Sequence, residues 1–359
     1  GTRGLYYPQG SYATKNWGKH GPLSNPHALG YLEHMKSEGD ARRFPQAFCI
    51  YEGGLLPRDF DGTIIAPNSL HNLVWNSQLF ADGSGFRTQD RENLLETDDR
   101  WFRPVYAGVG PDGAVYLADW YDARLSHVSP LDDWHKTSGR VYRIVPADYA
   151  PIHATFDLTQ LPSQQLVQRL SSSPNKWVRQ RAVLELGWRE DTSVVPALIE
   201  LVEEQGCLEA LWAIDGLGEL TVERADRWLD NHNPHLRRWV IRLLGDRHEG
   251  LERMVTLARL EPDVEVRSQL AASCKRMVSE LGTRVLCELL VRNEDADDLH
   301  LPLMIWWGLE RHVDEWVSLR QALQRSGIWK STIMRQHIAG RLIQRLATVG
   351  GSLELQRCE

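Results

Sequence analysis

Two hydrophobic patterns divide the chain, and the first of them is typical of short β-strands. From residue 47 onward, short apolar runs alternate with Gly, Pro, Asn and Asp. These runs predict one set of strands at 47–51, 63–66, 73–79 and 85–95, and a second set at 104–108, 114–119 and 140–145. Residues 1–45 show no sustained period. We therefore expect irregular structure there and sheets between residues 47 and 145.

The spacing of these strands indicates propeller blades. The first set places four strands in about fifty residues, which is the length of chain that one blade uses. Two blades cannot close a circle, because propellers have at least about four. The sequence therefore predicts a fragment whose residues 1–148 are the last blades of a β-propeller, with a linker at 149–160.

After Pro146 the apolar positions recur with a helical period. Helix starts are predicted at Ser173-Pro174, at Glu261-Pro262 and at Asn233-Pro234, where Asn is the cap and Pro the first helical residue. Four helices share an aliphatic residue followed by Arg and another apolar residue four positions after the first. These aliphatic-Arg pairs are Val178-Arg179, Leu236-Arg237, Val266-Arg267 and Met334-Arg335. Anchor positions 178, 208, 236 and 266 are 30, 28 and 30 residues apart. Helix pairs at this period predict an α-solenoid over 161–359, with a pattern that resembles HEAT repeats. The recurring arginines favour a structural role.

Composition and charge exclude some partners and sites. The 359 residues are too many for one compact core, and 42% hydrophobic and 25% charged residues are ordinary for a globular protein. No apolar run reaches the roughly 20 residues of a membrane span. The net charge of −7 comes without a basic stripe, which argues against nucleic acid as a partner. The five cysteines form no CxxC pair.

One glycine motif has the spacing of a nucleotide-binding loop. Gly108, Gly110 and Gly113 match G-x-G-x-x-G, but a dinucleotide site requires that loop to open a helix. Here the loop runs into a predicted strand, and Pro111, Asp112 and Gly113 are typical turn residues. The motif therefore predicts a turn between strands.

Several motifs of the strand region resemble one protein family. They are His-Gly-Pro-Leu at 20–23, Ile-Tyr-Glu-Gly-Gly at 50–54, Ala-Pro-Asn-Ser-Leu-His-Asn at 66–72, Trp-Phe-Arg-Pro-Val at 101–105, the run 109–122, Asp-Asp-Trp at 132–134 and Ser-Gly-Arg-Val-Tyr-Arg-Ile at 138–144. In these motifs and in module order, the chain resembles planctomycete-type membrane-bound dehydrogenases, whose propeller is similar to that of glucose/sorbosone dehydrogenases.

The resemblance implies a function and a location. It implies an extracytoplasmic enzyme of the bacterial cell envelope that oxidises a sugar or alcohol and passes electrons to a c-type haem domain. The haem attachment motif CxxCH is absent from this sequence. We therefore expect haem c only in a further C-terminal module, and we expect the fragment alone to be inactive.

The resemblance also implies pyrroloquinoline quinone and calcium as cofactors. It places His20, Asn68, Arg103 and Trp120 at the cofactor. Such a cofactor would accept hydride while a His or Asp base removes the hydroxyl proton.

Three residues are the predicted catalytic group: His71, Arg103 and Asp119. His71 lies at a predicted strand end, where an imidazole either acts as a base or packs into the loop. Arg103 either pairs with cofactor carboxylates or forms a salt bridge between blades. Asp119 and Asp122 are the predicted calcium ligands, and the alternative for Asp119 is that it caps the following turn.

For other residues, a structural and a functional interpretation are both open. His20, His27 and His34 are either metal ligands or a general base, or they pack in loops. The tryptophans of the strand region either fill the core or stack on a sugar, and they are Trp17, Trp75, Trp101, Trp120 and Trp134.

A non-catalytic scaffold is the rival hypothesis. Propellers and α-solenoids both commonly serve as binding surfaces, and a fold does not fix a function. Under this hypothesis the tryptophans and the concave face of the helical array bind a protein or glycan partner.

Overall fold

The structure is a computed structural model that describes residues 3–14, 28–42, 46–123, 135–149 and 157–358. The chain forms two compact units. The first consists of Gly1–Leu5, Met35–Phe80 and Phe86–Glu219, and the second of Tyr6–His34, Ala81–Gly85 and Leu220–Glu359. The boundary between the units after Glu219 does not coincide with the change from strands to helices, which lies between residues 144 and 163.

The described strands form two sheets. The larger has six strands, which are β1 (Ser37–Glu38), β2 (Cys49–Ile50), β3 (Ile64–Asn68), β4 (Leu73–Asp82), β5 (Gly85–Asp90) and β6 (Leu95–Glu96). Their order is β1-β5-β4-β3-β2, and β6 pairs with β4. The smaller sheet is antiparallel in the order β7-β8-β9, formed by Pro104–Val109, Val115–Asp119 and Arg140–Ile144.

The predicted propeller blades are wrong, although the predicted strands lie close to observed ones. A blade is a sheet of four strands. In the larger sheet, β1 instead adds parallel to β5, and β6 returns to pair antiparallel with β4, while the smaller sheet has three strands. Within the described residues, neither sheet closes into a propeller or barrel. Local alternation predicts a strand but not its partner, and that explains the error.

An apolar core includes residues of both sheets. Its buried members are Tyr51, Leu56, Ile65, Val74, Phe102, Ala107, Val115 and Leu117. The Ala107 N–H donates to the Ala47 carbonyl at 3.0 Å, which connects β7 with the residues before β2. Since burying a large apolar side chain is worth roughly 1.5–3 kcal/mol, this core fixes the sheet ends that carry the candidate site.

A second cluster consists of Ile64, Ala66, Leu73 and Trp75. The Arg3 guanidinium lies 3.8 Å from the centre of the Trp75 ring. Arg3 is fully buried, and its Nε donates to Asp90 Oδ1 at 2.9 Å. A buried cation is stable here because an aromatic face and a carboxylate replace water.

Helices follow the sheets. The first unit contains α1 (Ser163–Ser172), α2 (Lys176–Arg189), α3 (Val195–Gln205) and α4 (Leu208–Gly216). The second contains α5 (Val222–Trp228), α6 (Pro234–Asp246), α7 (Arg253–Leu260), α8 (Val264–Cys274), α9 (Ser279–Leu290), α10 (Leu301–Arg311), α11 (Trp316–Leu323), α12 (Ala339–Val349) and α13 (Ser352–Gln356). A π-helical turn at Met334–Ile338 leads into α12. Among the described residues, no helix combines the length and apolar character needed to cross a membrane.

The helices pack in two rows within the second unit. Helix α8 packs on α6 and on α10, while α9 packs on α7 and on α11. Contact of each helix with the one two places later is consistent with the predicted helical solenoid.

Capping residues explain where the repeat helices begin. The Asn233 side chain accepts from the His235 N–H at 3.0 Å and Pro234 is the first helical residue, as predicted. Helices α2 and α8 begin later than predicted, because Asn175 and Asp263 are their caps. Pro174 and Pro262 lie in the turns before them.

The recurring arginines have the predicted structural role at three positions. Arg179, Arg237 and Arg267 each direct Nη1 to two carbonyls five and six residues earlier. Their Nε atoms donate to carboxylates of Glu209, Glu261 and Asp295 at 2.7, 2.9 and 2.8 Å. Arg335, in the π-helical turn, is exposed instead.

Candidate functional site

Asp119 is the last residue of β8 and caps the end of its sheet. The side chain is 3% exposed, and Oδ1 accepts from the backbone N–H groups of Arg103 at 2.7 Å and Tyr121 at 2.9 Å. Oδ2 is buried without a hydrogen-bond partner among the described residues. Of the two predicted roles, the geometry therefore shows the cap.

Arg103 lies directly before β7 and is 5% exposed. Its Nη1 donates to the Phe102 carbonyl at 3.2 Å, and its Nε is unpartnered within the described part of the chain. Burial lowers the pKa of Arg103, while the carboxylates of Asp119, Asp122 and Asp99 raise it. The guanidinium is thus a buried positive charge in the electrostatic field of three carboxylates.

His71 lies in the turn between β3 and β4. Its Nδ1 is 3.2 Å from Asn68 Oδ1, which also accepts from the Leu70 N–H at 3.0 Å. Asn68 is fully buried, and its Oδ1 shapes this turn. Asn72, in the left-handed region with φ +57°, donates from Nδ2 to the Phe102 carbonyl at 2.6 Å. The turn that carries His71 is therefore bonded to the segment that carries Arg103.

Trp120 and Asp122 follow β8. Trp120 is 46% exposed, and its backbone N–H donates to the Arg103 carbonyl at 2.9 Å. Asp122 is buried and accepts at Oδ2 from the His135 N–H at 2.9 Å. The Arg140 guanidinium lies 3.6 Å from the centre of the Tyr121 ring. Stacking of a sugar on the exposed Trp120 side chain stays a prediction.

The structure connects most of the predicted site residues into one network at this sheet end, here called the sheet-end cluster. Its predicted members are Asn68, His71, Arg103, Asp119, Trp120 and Asp122. His20 and His27 lie outside the described residues. His34 belongs to the second unit, where its Nε2 is 2.7 Å from the Thr14 carbonyl oxygen.

The described residues do not fit a calcium ion. Calcium takes about six to eight oxygen ligands. Asp119 and Asp122 already accept backbone N–H groups, and both carboxylates interact electrostatically with the positive Arg103 guanidinium. Within the described ranges, no group of three His, Cys, Asp or Glu side chains has a metal-binding arrangement.

The sheet-end cluster also gives little access to a quinone cofactor. With 5% of its surface exposed, Arg103 has most of its guanidinium covered, and Asn68 is fully buried. A planar cofactor with carboxylates requires a cation presented to an open face. The assignment of these residues to cofactor binding therefore stays a prediction from the resemblance.

The motif at 50–54 packs against the turn between β7 and β8. Tyr51 is fully buried, and its hydroxyl accepts from the N–H groups of Leu55 and Leu56 while it donates to the Gly113 carbonyl at 3.0 Å. Any Cβ on Gly53 would lie 2.4 Å from the Gly113 carbonyl oxygen. The glycine motif is thus a turn between β7 and β8, as predicted.

The same region also contacts the start of α2. Asn175, the cap of α2, donates from Nδ2 to the carbonyls of Gly110 and Pro111 at 3.0 and 3.1 Å. The Lys176 N–H donates to the Glu52 carbonyl at 2.8 Å. These contacts hold the small sheet against the start of the helices, and they give the motif residues a stability role.

The second unit contains an arrangement that the sequence analysis missed. Its N-terminal segment, defined here as residues 6–14 and 28–34, lies against helices α6, α8, α10 and α12. Gln9 Nε2 donates to Asp246 Oδ1 at 2.7 Å, at the end of α6. Lys275, directly after α8, donates from Nζ to the Gly10 carbonyl at 2.7 Å.

The next two helices continue the series. Trp307 of α10 donates from Nε1 to the Ala28 carbonyl at 2.8 Å, and Arg341 of α12 donates from Nε to the Leu29 carbonyl at 2.5 Å. Every second helix, or the residue directly after it, therefore binds a backbone carbonyl of the N-terminal segment. We call Lys275, Trp307 and Arg341 the carbonyl-binding series.

A weak sequence signal for this series exists. Lys275, Trp307 and Arg341 lie 32 and 34 positions apart, close to the helix-pair period. All three are long side chains with N–H donors. Three different residue types at one repeat position do not form a recognisable motif, however, and their partners are carbonyls that every residue carries.

Comparison with known proteins adds one match. Residues 29–148 match the family model of a domain of unknown function, DUF7133. No curated protein and no solved structure matches the chain. The matched range contains β1 to β9 and the described sheet-end cluster, but the match brings no function with it.

Proposed function

We propose that the protein is a non-catalytic binding scaffold whose second unit holds a polypeptide segment across every second helix of its array. Its own N-terminal segment is the occupant in this structure. The carbonyl-binding series carries the proposal, because each of its three residues presents one N–H donor to a backbone carbonyl of that segment.

Main-chain recognition of this kind suits a scaffold. Hydrogen bonds to backbone carbonyls give affinity for extended chain, and contacts with side chains add selectivity. Selectivity here comes from the close approach of two glycines of the segment to side chains of the array. A Cβ on Gly30 would lie 2.6 Å from Leu303 Cδ2, and one on Gly10 would lie 3.0 Å from Lys275 Cδ. The face therefore favours a segment with glycine at these two positions.

The redox-enzyme hypothesis stays a prediction from the resemblance, as do the sugar or alcohol substrate, the cofactors and the extracytoplasmic location. The contacts of the sheet-end cluster give this hypothesis less support than the carbonyl-binding series gives the scaffold proposal. Asp119 and Asn68 spend side-chain oxygens on backbone N–H groups, as structural residues do.

An exchange experiment tests the scaffold. Gly10→Val/Gly30→Val introduces side chains that collide with the array without altering the array itself. We expect a fluorescent peptide with the sequence of residues 6–34 to bind this variant, and to bind the unaltered protein at least about tenfold more weakly because its face is filled. Fluorescence anisotropy measures both affinities.

Two controls make the result specific. Gly340→Val, where a Cβ meets open space, should leave peptide binding as weak as in the unaltered protein. A peptide carrying the same two Gly→Val changes should bind neither protein. If the double variant keeps its helical circular dichroism but binds no peptide, the scaffold proposal is wrong.

A further inference from the structure

A pocket of about 500 Å³ lies within the second unit, beside the N-terminal segment. Tyr12 forms one wall, and α10, α12 and the residue after α8 provide Lys275, Glu310, Arg311 and Arg345. This volume falls in the range of small-molecule sites, roughly 300–1,000 Å³. Neither the sequence motifs nor the family match points to it.

The charged groups of the pocket are only loosely paired with one another. Arg345 Nε lies 3.7 Å from Glu310 Oε1, and its Nη2 lies 3.9 Å from Asp314 Oδ1. Both distances exceed those of a direct hydrogen bond, so the guanidinium retains donors for another acceptor. Lys275 gives one N–H to the Gly10 carbonyl, and an ammonium has three.

Burial strengthens the electrostatics of this site. It lowers the pKa of Lys275 against the opposing effect of Glu310. It also raises the pKa of Glu310, which Arg345 and Lys275 partly offset. Charges in such a partly desolvated place interact more strongly with a ligand than charges in bulk water do.

The balance of groups defines the ligand. Three cations, Lys275, Arg311 and Arg345, stand against two carboxyl groups, Glu310 and Asp314. A net positive pocket favours an anion, and carboxyl oxygens are good acceptors for hydroxyl groups. We propose that the pocket binds a small hydroxycarboxylic acid, with its carboxylate at the cations and its hydroxyls at Glu310 and Asp314.

Three six-carbon probes separate the parts of this proposal. Gluconate carries both a carboxylate and hydroxyls, glucitol has only hydroxyls, and hexanoate has only the carboxylate. We expect gluconate to bind the full chain and the other two to bind at least about tenfold more weakly, a difference of about 1.4 kcal/mol. Isothermal titration calorimetry measures each affinity.

Variants assign the binding to this pocket. Arg345→Met and the exposed Arg311→Met should each weaken gluconate by about tenfold or more, because each removes a charge-assisted hydrogen bond. Arg284→Met, which removes an ion pair with Glu252 outside the pocket, should leave the affinity unchanged. Thermal unfolding of each variant reports whether it is folded.

Three outcomes would overturn the proposal: glucitol or hexanoate binding as tightly as gluconate, no binding of gluconate, or equal gluconate binding by the folded Arg311→Met variant. None of them bears on the scaffold proposal, which the peptide exchange tests separately. The charges of the pocket belong to the helical array, whereas the exchange depends on the glycines of the N-terminal segment.

Discussion

At three repeat positions, one arginine performs the same two tasks. Arg179, Arg237 and Arg267 bind carbonyls of the preceding turn with Nη1 and pair through Nε with a carboxylate of a later element. Each arginine therefore fixes the start of its own helix and connects that helix to the next repeat. The planar guanidinium can serve both directions, which a lysine ammonium on a flexible stem does less well.

Removal of one such arginine should be costly. Arg237 and Glu261 are both nearly buried, so Arg237→Met leaves an unpaired carboxylate and two turn carbonyls without their donor. We expect the free energy of unfolding to fall by about 3–5 kcal/mol in urea denaturation. Arg335→Met, at an exposed position, should change it by less than about 0.5 kcal/mol. Equal effects of the two substitutions would contradict this role.

The sequence predicted these arginines as structural but could not predict their partners. The acidic residues lie 30, 24 and 28 positions after the arginines, so no fixed spacing identifies them. Asp119 shows the same limit. Its place after an apolar strand suits a ligand or a cap equally, and only the paired strand β7 brings the Arg103 N–H to it.

At the element scale, the turn between β7 and β8 depends on a contact between two glycines. Gly113 has φ +81°, and a Cβ there would lie 2.4 Å from the Gly53 carbonyl oxygen. Gly62 has a similar φ of +75°, but a Cβ there meets open space. The two positions therefore separate backbone strain from steric exclusion.

Alanine at each position measures the two costs. Gly62→Ala should lower the free energy of unfolding by about 1–2 kcal/mol, the cost of the left-handed conformation. Gly113→Ala should cost a further 1–3 kcal/mol or so, because the Gly53 backbone and the turn must move apart to admit the new Cβ. Urea denaturation monitored by tryptophan fluorescence gives both values. Similar losses for the two variants would mean that the close contact has little weight.

Elements were predicted better than their arrangement. Strand positions and most helix positions follow from alternation, helical period and capping residues. The order of the larger sheet does not, because β1 pairs with β5 through contacts such as Ser37 with Thr88, far apart in the sequence. Four strands at blade-like spacing therefore suggested a propeller blade that the pairing does not form.

At the scale of the whole molecule, the early part of the chain is shared between two units. Tyr6–His34 belongs to the second unit, whereas Met35–Phe80 belongs to the first. The sequence could not show this, since the N-terminal segment has no period and is held through its backbone carbonyls. Its contacts with α8, α10 and α12 nevertheless carry the proposed function.

The second unit also contains two buried histidines, His300 and His312, and the half-buried His337, which should make it sensitive to acid. Burial is the main cause that lowers the pKa of His300, His312 and His337 below the ordinary 6.5. His312 uses both ring nitrogens, at 2.8 Å from Ser279 Oγ and 2.8 Å from the Cys274 carbonyl oxygen. The neutral ring satisfies both contacts, with one nitrogen accepting and the other donating.

The lowered pKa values fix the sign of the effect. The unfolded chain takes up protons near pH 6.5, before the folded histidines do, so their stabilising contribution is complete above that pH and is lost as the pH falls. We expect the free energy of unfolding to decrease from pH 7.5 to 5.5, and to decrease less in His312→Gln, which removes one titrating ring. The exposed His235→Gln should keep the slope of the unaltered protein. Chemical denaturation across this range measures the three slopes, and a slope unchanged by His312→Gln would exclude His312 as a source of the acid sensitivity.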